Sequence, residues 1–218
     1  MRRFRHRKTV QEDCRQVYEL FSDYTMVPRQ AYINNLLLAG SVRDVHGCVV
    51  ECGVWRGGMS AGLGKILGSD RDYFLFDSFE GLPPAKDIDG EAARKWQQDR
   101  DSSNYYDNCA APPEFARQAM TLAGIPSYFL VKGWFQATLP GFVPPAPIAF
   151  LRLDGDWYDS TMICLEVLFD QVAPGGIILL DDYYTWDGCS RALHDFLSRR
   201  SAVERIDNYD GVCYLRKK

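Results

Sequence analysis

Two pairs of acidic residues stand where buried strands are predicted to end. Asp154 and Asp156 follow one apolar run, and Asp181 and Asp182 follow the next. The carboxyl ends of adjacent parallel strands meet at one edge of a sheet, which is the usual ligand edge. Four carboxylates there repel one another unless a cation neutralises them or some are protonated, and hard oxygen ligands suit Mg²⁺ or a similar divalent ion. The alternative interpretation is a set of solvated acids at strand ends.

A glycine-bearing turn lies earlier in the chain, in the segment VECGVWRGGMS at residues 50–60. It leaves a predicted strand and enters a predicted helix, so its glycines let the backbone approach a ligand beside helical N–H donors. The spacing of Gly53, Gly57 and Gly58 is not the G-x-G-x-x-G of nicotinamide sites. Glu51 disfavours a pyrophosphate and favours an ammonium or sulfonium group. The alternative is a strand–helix turn that merely needs glycine.

A further acid, Asp77, ends the apolar run Tyr73–Phe76 and stands 26 residues after Glu51. An acid at the tip of the second strand is placed to accept the hydroxyls of a ribose. Asp77 could instead form a turn with Ser78. Together with the glycine-bearing turn, it favours a nucleoside ligand.

Short apolar runs alternate with helix-like segments, which predicts an α/β fold with a mostly parallel sheet. The predicted strands are Cys48–Val50, Tyr73–Phe76, Tyr128–Val131, Ile148–Leu153, Ile177–Leu180, Val203–Ile206 and Val212–Leu215. The predicted helices between them are Ser60–Leu67, Pro113–Ala123, Thr161–Val172 and Ser190–Arg200. The last two strands are joined by only Asp207–Gly211, which predicts a hairpin and an antiparallel last strand.

Two segments lie outside this alternation. Residues 1–45 are predicted to form a basic N-terminal arm and a helical cap, with helices at Cys14–Phe21 and Pro28–Arg43, before a catalytic-type domain at 46–218. Residues 80–112 form a polar stretch of 33 residues. A loop of that length is usually a lid, a binding loop or disordered. Its aromatic residues Trp96, Tyr105 and Tyr106 indicate that it packs against another surface.

Length and composition limit the function. The chain has 218 residues, about one and a half times a typical domain, which indicates one domain with an elaboration. It has 25 basic and 29 acidic residues, and five of the basic ones lie at residues 2–8, in a run expected to be a solvated arm. The net charge of −4 argues against nucleic acid as the main partner, although not against a local basic patch. No apolar run approaches the ~18 residues of a membrane span.

The cysteine content indicates a reduced compartment. The seven cysteines are odd in number and form no C-x-x-C motif. Without a recognisable signal peptide, this composition predicts a cytoplasmic chain. Zinc is disfavoured because His6, His46 and His194 are scattered.

Five segments together resemble one family. They are VECGVWRGG, FDSFEGLP, KGWFQATLP, LRLDGDWYDST and GGIILLDDYYTWDGC. In order and spacing, from about Tyr24 to Phe196, they resemble the macrocin O-methyltransferase (TylF-like) family of S-adenosylmethionine-dependent sugar O-methyltransferases. The resemblance implies a class I, Rossmann-like three-layer sandwich with a mostly parallel seven-stranded sheet, an antiparallel last strand and an N-terminal helical cap.

The resemblance also implies residue roles. The implied cofactor-binding residues are Glu51, Gly53, Trp55, Gly57, Gly58, Ser60, Asp77, Ser78, Gly133 and Trp134. Asp154, Asp181 and Asp182 resemble ligands of Mg²⁺ or a similar ion, and Asp156 resembles the general base. A divalent ion lowers the pKa of a sugar hydroxyl, and a carboxylate then removes its proton during in-line attack on the sulfonium methyl.

Some features depart from the family or stay open. The chain is shorter than typical members, and residues 80–112 contain no histidine, although some relatives are thought to use one near the substrate. Trp157 and Trp186 either face a sugar ring or pack in the core. The expected acceptor is a small-molecule glycoside, and the N-terminal helices could form a homodimer surface. The rivals are a catechol-type O-methyltransferase and a non-catalytic nucleotide-binding module; a dinucleotide oxidoreductase is disfavoured by Glu51.

Overall fold

The fold is that of a computed structural model. It describes the backbone of residues 2–201 and 203–218 and the side chains of residues 10–201 and 203–218. The solvated state predicted for the basic run at residues 2–8 therefore lies outside the described side chains.

One seven-stranded sheet forms the middle layer. Its strands are β1 (Cys48–Cys52), β2 (Tyr73–Asp77), β3 (Tyr128–Lys132), β4 (Ile148–Leu153), β5 (Val172–Leu180), β6 (Asp207–Tyr209) and β7 (Val212–Arg216). They are arranged in the order β3-β2-β1-β4-β5-β7-β6. The pairs among β1 to β5 are parallel, and β7 is antiparallel to both of its neighbours. The predicted mostly parallel sheet with an antiparallel last strand is confirmed.

Helices cover both faces of the sheet. They are α1 (Arg2–Phe21), α2 (Arg29–Gly40), α3 (Gly58–Leu67), α4 (Glu91–Gln98), α5 (Pro113–Ala123), α6 (Phe135–Thr138), α7 (Tyr158–Leu168) and α8 (Asp187–Arg200). Helices α1, α2, α3 and α5 share one apolar core with one face of the sheet, and α7 and α8 share a second core with the other. This is the predicted three-layer sandwich. Among the described residues, no helix is both long enough and apolar enough to cross a membrane.

The registers of the central strands align their carboxyl ends. Leu153 at the end of β4 pairs with Cys52 of β1 on one side and with Leu180 of β5 on the other. All six residues of β4 are buried, as expected for a strand covered on both faces. The acids that follow β4 and β5 therefore begin at the same level of the sheet.

Several predicted boundaries are wrong. Helix α1 begins at Arg2 and not at Cys14, α2 ends at Gly40 and not at Arg43, and β5 begins at Val172 and not at Ile177. The helix predicted to reach Val172 ends earlier, because Val172 already pairs with Ile148 as the first residue of β5. The predicted strand at Val203–Ile206 is not a strand; β6 lies at residues 207–209 instead. The connection is the two-residue turn Asp210-Gly211, in which both residues have the positive φ values that such hairpin turns require.

Residues 80–112, called the lid from here on, contain regular structure. The lid holds a 3₁₀ turn at Asp87–Asp89, helix α4 and a second 3₁₀ turn at Tyr106–Cys109. Trp96 on α4 packs against Trp157 and Trp186 of the domain. The predicted packing of the lid's aromatic residues thus has a definite partner.

The N-terminal helices pack on the sheet as part of the same core. Phe21 of α1 is fully buried, and Tyr32 of α2 donates a hydrogen bond from its hydroxyl to the carbonyl of Gly58 at 2.7 Å. The division at residue 45 into a cap and a domain stays a prediction.

Candidate functional site

A cavity of about 340 Å³ opens at the carboxyl end of the sheet, and the lid forms part of its wall. Its lining includes these predicted site residues: Gly53, Trp55, Asp77, Ser78, Gly133, Trp134, Asp154, Asp156, Asp181 and Asp182. The size is within the range of small-molecule sites. The other four predicted cofactor residues, Glu51, Gly57, Gly58 and Ser60, do not line it.

Those four residues lie beneath the cavity wall. The carboxylate of Glu51 is 1% exposed and accepts a hydrogen bond from the hydroxyl of Ser60. A Cβ on Gly58 would lie 2.5 Å from the carbonyl oxygen of Tyr24, and a Cβ on Gly57 would lie 2.8 Å from Cα of Ala116. The two glycines are therefore needed for the close packing of α3 against its neighbours. Their direct contact with a cofactor stays a prediction.

Asp77 holds the glycine-bearing turn by its backbone. Its Oδ2 accepts the N–H groups of Val54 and Trp55 at 2.6 and 2.8 Å, and its Oδ1 accepts the N–H of Phe79 at 2.6 Å. Burial raises the pKa of Asp77, and the three donors oppose that shift by stabilising the charged form. Part of the side chain still faces the cavity.

A buried arginine, which the sequence predictions did not include, organises the acids. The guanidinium of Arg152 lies 2.8 Å from Glu51, 2.7 Å from Asp154 and 2.7 Å from Asp181. It also donates a hydrogen bond to the side-chain oxygen of Asn35 on α2. Arg152 pairs with Glu51 in the register of β4 and β1, so both side chains project from the same face. An arginine inside a buried strand needs such partners, and that signal could have found it in the sequence.

Three carboxylates converge in the cavity. Oxygens of Asp154, Asp156 and Asp182 all lie within 4.8 Å of one another. Burial raises the pKa of Asp182 well above its usual range, and the neighbouring charges of Asp156 and Asp154 raise it further. Asp181 points to Arg152 instead, so the geometry groups the four acids differently from the predicted ligand set of Asp154, Asp181 and Asp182. These metal roles stay predictions.

Asp156 is held in an unusual conformation by two contacts. Its φ of 58° lies in the left-handed region, which costs a non-glycine residue about 1 kcal/mol or more. Its N–H donates to Oδ2 of Asp182 at 3.1 Å, and the indole N–H of Trp186 donates to its Oδ1 at 2.9 Å. The structure therefore fixes the direction of this carboxylate. Its role as general base stays a prediction.

The donor sets fit both groups that the sequence implies. Three converging carboxylates, of which Asp182 is buried, offer the oxygen ligands and the negative charge that a divalent ion needs. The turns at Gly53 and Gly133 have positive φ and line the cavity with backbone. The ring of Trp134, 39% exposed, is the aromatic surface beside them. A nucleoside can therefore lie against this side of the cavity.

Three tryptophans, called the tryptophan cluster, pack together beside Asp156, and two of them line the cavity. The ring centroids are 5.4 Å apart for Trp157 and Trp186, 5.9 Å for Trp96 and Trp186, and 6.2 Å for Trp96 and Trp157. Trp157 is buried and donates to the carbonyl of Pro83, whereas Trp96 and Trp186 line the cavity. Trp157 is thus a core residue, and Trp186 faces the site.

Strand order, ligand edge and the acid-lined cavity define a class I, Rossmann-like methyltransferase fold. The chain belongs to the macrocin-O-methyltransferase (TylF) family, whose sequence model matches residues 3–218.

Two proteins named as O-methyltransferases are similar to this chain over much of its length. The 8-demethyl-8-(2,3-dimethoxy-alpha-L-rhamnosyl)-tetracenomycin-C 4'-O-methyltransferase of Streptomyces olivaceus is 37% identical over 77% of this chain and 64% of that protein. The mycinamicin III 3''-O-methyltransferase of Micromonospora griseorubida is 32% identical over 84% of this chain and 75% of that protein. The chain thus spans slightly less than two thirds of the first relative's length.

A solved structure is similar in fold. The O-methyltransferase NovP superposes with a TM-score of 0.74 and 27% identity, covering 89% of this chain and 82% of that chain.

Proposed function

We propose that the protein is an S-adenosylmethionine- and divalent-metal-dependent O-methyltransferase that acts on a sugar hydroxyl of a natural-product glycoside. The observation that carries the proposal is the convergence of Asp154, Asp156 and Asp182 within 4.8 Å in a cavity that Asp77 and Trp134 also line. The family and the sugar O-methyltransferase names of its relatives support the same reaction.

The cofactor is proposed to bind along the ends of β1, β2 and β3. Gly53 and Trp55 face its methionine end, Asp77 and Ser78 its ribose, and Gly133 and Trp134 its adenine. Glu51, Gly57, Gly58 and Ser60 act from below by fixing the turn. This arrangement leaves the side of the cavity near β4 and β5 for the acceptor.

The acids at β4 and β5 are proposed to bind the metal and move the proton. A bound divalent ion would lower the pKa of the acceptor hydroxyl and fix its orientation. Asp154 and Asp182 belong both to the predicted ligand set and to the observed carboxylate group. Asp156 is the proposed base: its Oδ1 accepts from Trp186, which leaves Oδ2 to take the proton from the acceptor hydroxyl. Asp181, the fourth acid, is also in the predicted ligand set, but its carboxylate forms an ion pair with Arg152.

Calorimetry with S-adenosylmethionine tests the first part of the proposal. We expect binding in the presence and absence of a chelator, and turnover only when a divalent ion is present. A protein that fails to bind the cofactor under either condition would overturn the methyltransferase assignment.

Alanine variants of the four acids separate ligands from base. Titration with Mn²⁺, followed by electron paramagnetic resonance, should show weakened metal binding for Asp154→Ala and Asp182→Ala. Asp156→Ala should bind metal and cofactor normally and lose turnover. If it instead loses Mn²⁺, Asp156 is a ligand and not the base. Asp181→Ala decides whether the acid beside Arg152 reaches the metal.

The tryptophan cluster favours a second candidate acceptor. Aromatic rings beside carboxylates also suit a small phenol with neighbouring hydroxyls, as in a catechol-type enzyme. Parallel assays with a rhamnoside and with a catechol distinguish the two. Methylation of the rhamnoside alone supports the proposal, and methylation of the catechol alone transfers it to the rival.

A further inference from the structure

We propose that Asp89 of the lid is a positioning residue, which ties the lid to the two loops that carry the site's carboxylates. The inference rests on the proposed function, because the loops it fixes are those that hold Asp156 and Asp182. Its evidence is the set of contacts that a single buried side chain makes with α7 and α8.

Asp89 caps a helix from 69 positions away in the sequence. Its side chain is buried, with the residue 3% exposed, and its Oδ1 accepts the N–H of Tyr158 at 2.7 Å while its Oδ2 accepts the N–H of Lys86 at 2.7 Å. Tyr158 is the first residue of α7, whose own N-cap residue, Trp157, offers no side-chain hydrogen bond. A carboxylate at this place satisfies a free N–H and interacts favourably with the helix dipole. Asp156 lies only two residues before that N–H.

The same carboxylate is in contact with the first turn of α8. A Cβ on Gly188 would lie 2.3 Å from Oδ1 of Asp89 and 2.8 Å from the nitrogen of Tyr158. Only a glycine allows α8 to approach this closely. Helix α8 follows the segment that carries Asp182 and Trp186, so Asp89 touches both helices that follow acid-bearing strands.

Two further contacts join the lid to the same loops. The indole N–H of Trp157 donates to the carbonyl of Pro83 at 2.9 Å. The ring of Trp96 meets those of Trp157 and Trp186 edge to face. The lid is therefore attached to residues 157–158 and 186–188 by polar and apolar contacts.

These attachments bear on Asp156 because its backbone is strained. A left-handed φ at a non-glycine residue persists only where the surroundings hold it. The residue that follows, Trp157, is fixed from the lid by Pro83 and Trp96, and Tyr158 is fixed by Asp89. Loss of Asp89 should thus let Asp156 and α7 relax together and misplace the carboxylate relative to the acceptor.

The test compares variants of two aspartates in one 3₁₀ turn. Asp89→Ala should lower kcat by about 10- to 100-fold, since small misplacements of reacting groups cost that much. It should also weaken Mn²⁺ binding several-fold and leave the cofactor Kd within about twofold of wild type. The kcat and the Mn²⁺ affinity of Asp89→Asn should lie between those of Asp89→Ala and wild type, because its amide oxygen still accepts one N–H. Asp87→Ala, whose side chain is 92% exposed, should match wild type and is the control.

A kcat for Asp89→Ala within twofold of wild type would overturn the inference, and so would an equal loss of cofactor and metal affinity, which indicates general unfolding. If Asp89→Ala does not fold, Asp89→Asn decides by the same criteria.

Hydrogen exchange of residues 154–160 and 182–190 gives a readout without turnover. Faster exchange in Asp89→Asn than in Asp87→Ala supports the inference, and equal exchange contradicts it. A wild-type protein without turnover or cofactor binding contradicts the proposed function alone.

Discussion

The ligand edge of the sheet has two halves that use carboxylates in opposite ways. At the ends of β1 and β2, the carboxylate oxygens of Glu51 and Asp77 accept hydrogen bonds from backbone and side-chain donors of the protein. At the ends of β4 and β5, Asp154, Asp156 and Asp182 face one another across the cavity. In the first half all four carboxylate oxygens accept hydrogen bonds from the protein. In the second half, each of the three acids keeps one oxygen that has no internal donor among the described residues.

The number of acids at an edge does not by itself define a cation site. What matters is how many carboxylate oxygens lack an internal donor. Arg152 joins the halves, because it contacts Glu51 in the first and Asp154 and Asp181 in the second. The distinction predicts opposite responses to neutralisation of single acids on the two sides.

Removal of the shared arginine should have the largest effect. Arg152→Met should destabilise the protein by about 3–5 kcal/mol, because it leaves Glu51, Asp154 and Asp181 without their buried cation. Urea unfolding measures this change. Arg205→Met, at an exposed position, should stay within about 0.5 kcal/mol of wild type. A loss below about 1 kcal/mol for Arg152→Met would mean that the ion pairs do not join the two halves.

Neutralisation on the first side should be destabilising under all conditions. Asp77→Asn replaces an acceptor of three backbone N–H groups by an amide that presents donors to some of them. We expect a loss of about 1–3 kcal/mol, equal with Mg²⁺ and with a chelator. Thermal unfolding in both buffers measures it. A loss that appears only with Mg²⁺ would place Asp77 in the metal site.

Without metal, neutralisation of an acid on the second side should raise the stability of the protein instead of lowering it. Burial and the charges of Asp156 and Asp154 raise the pKa of Asp182, so its ionised form is unfavourable in the folded state. Asp182→Asn should therefore stabilise the metal-free protein by about 1 kcal/mol. If Mg²⁺ binds as proposed, it should raise the Tm of wild type by binding the folded state, and Asp182→Asn should abolish that rise. A destabilised metal-free variant would contradict the comparison.

A single hydrogen bond should give the smallest effect. Trp186→Phe keeps a ring in the tryptophan cluster and removes the donor to Asp156. We expect a loss of stability of about 0.5–1.5 kcal/mol, because water in the cavity can replace the donor. The change in kcat should exceed the change in KM, since the carboxylate loses its orientation. An unchanged kcat would show that Asp156 is oriented by its backbone alone.

The sequence was informative where burial repeats along a strand. The strand β4 was predicted at its observed bounds because every residue but Arg152 is apolar, and the acids after it were predicted to meet those after β5. Arg152 is the single charge in that run, which indicates that it has buried partners, but which acids these are follows only from the register with Glu51. The partition of the acids between arginine and cavity depends on the same register.

The lid was the least predictable region. Helix α4 is only two turns long, and its apolar face consists of Ala92, Ala93 and Trp96 within a polar stretch. Trp96 is its contact with the tryptophans of the domain. Asp89 reads as one of many polar residues in that stretch. Its partner, the N–H of Tyr158, lies far along the chain, so no local sequence pattern predicts the contact.

The strand order also has a consequence for folding. β1 and β4 are neighbours in the sheet, yet Glu51 and Arg152 are separated by 101 positions in the chain. Strand pairs separated by so long a segment form late in folding, because the entropic cost of closing the loop comes before the favourable contacts form. We therefore expect the buried arginine to stay hydrated until the sheet is nearly assembled. A chain at that stage can hold secondary structure on both sides and still have no site.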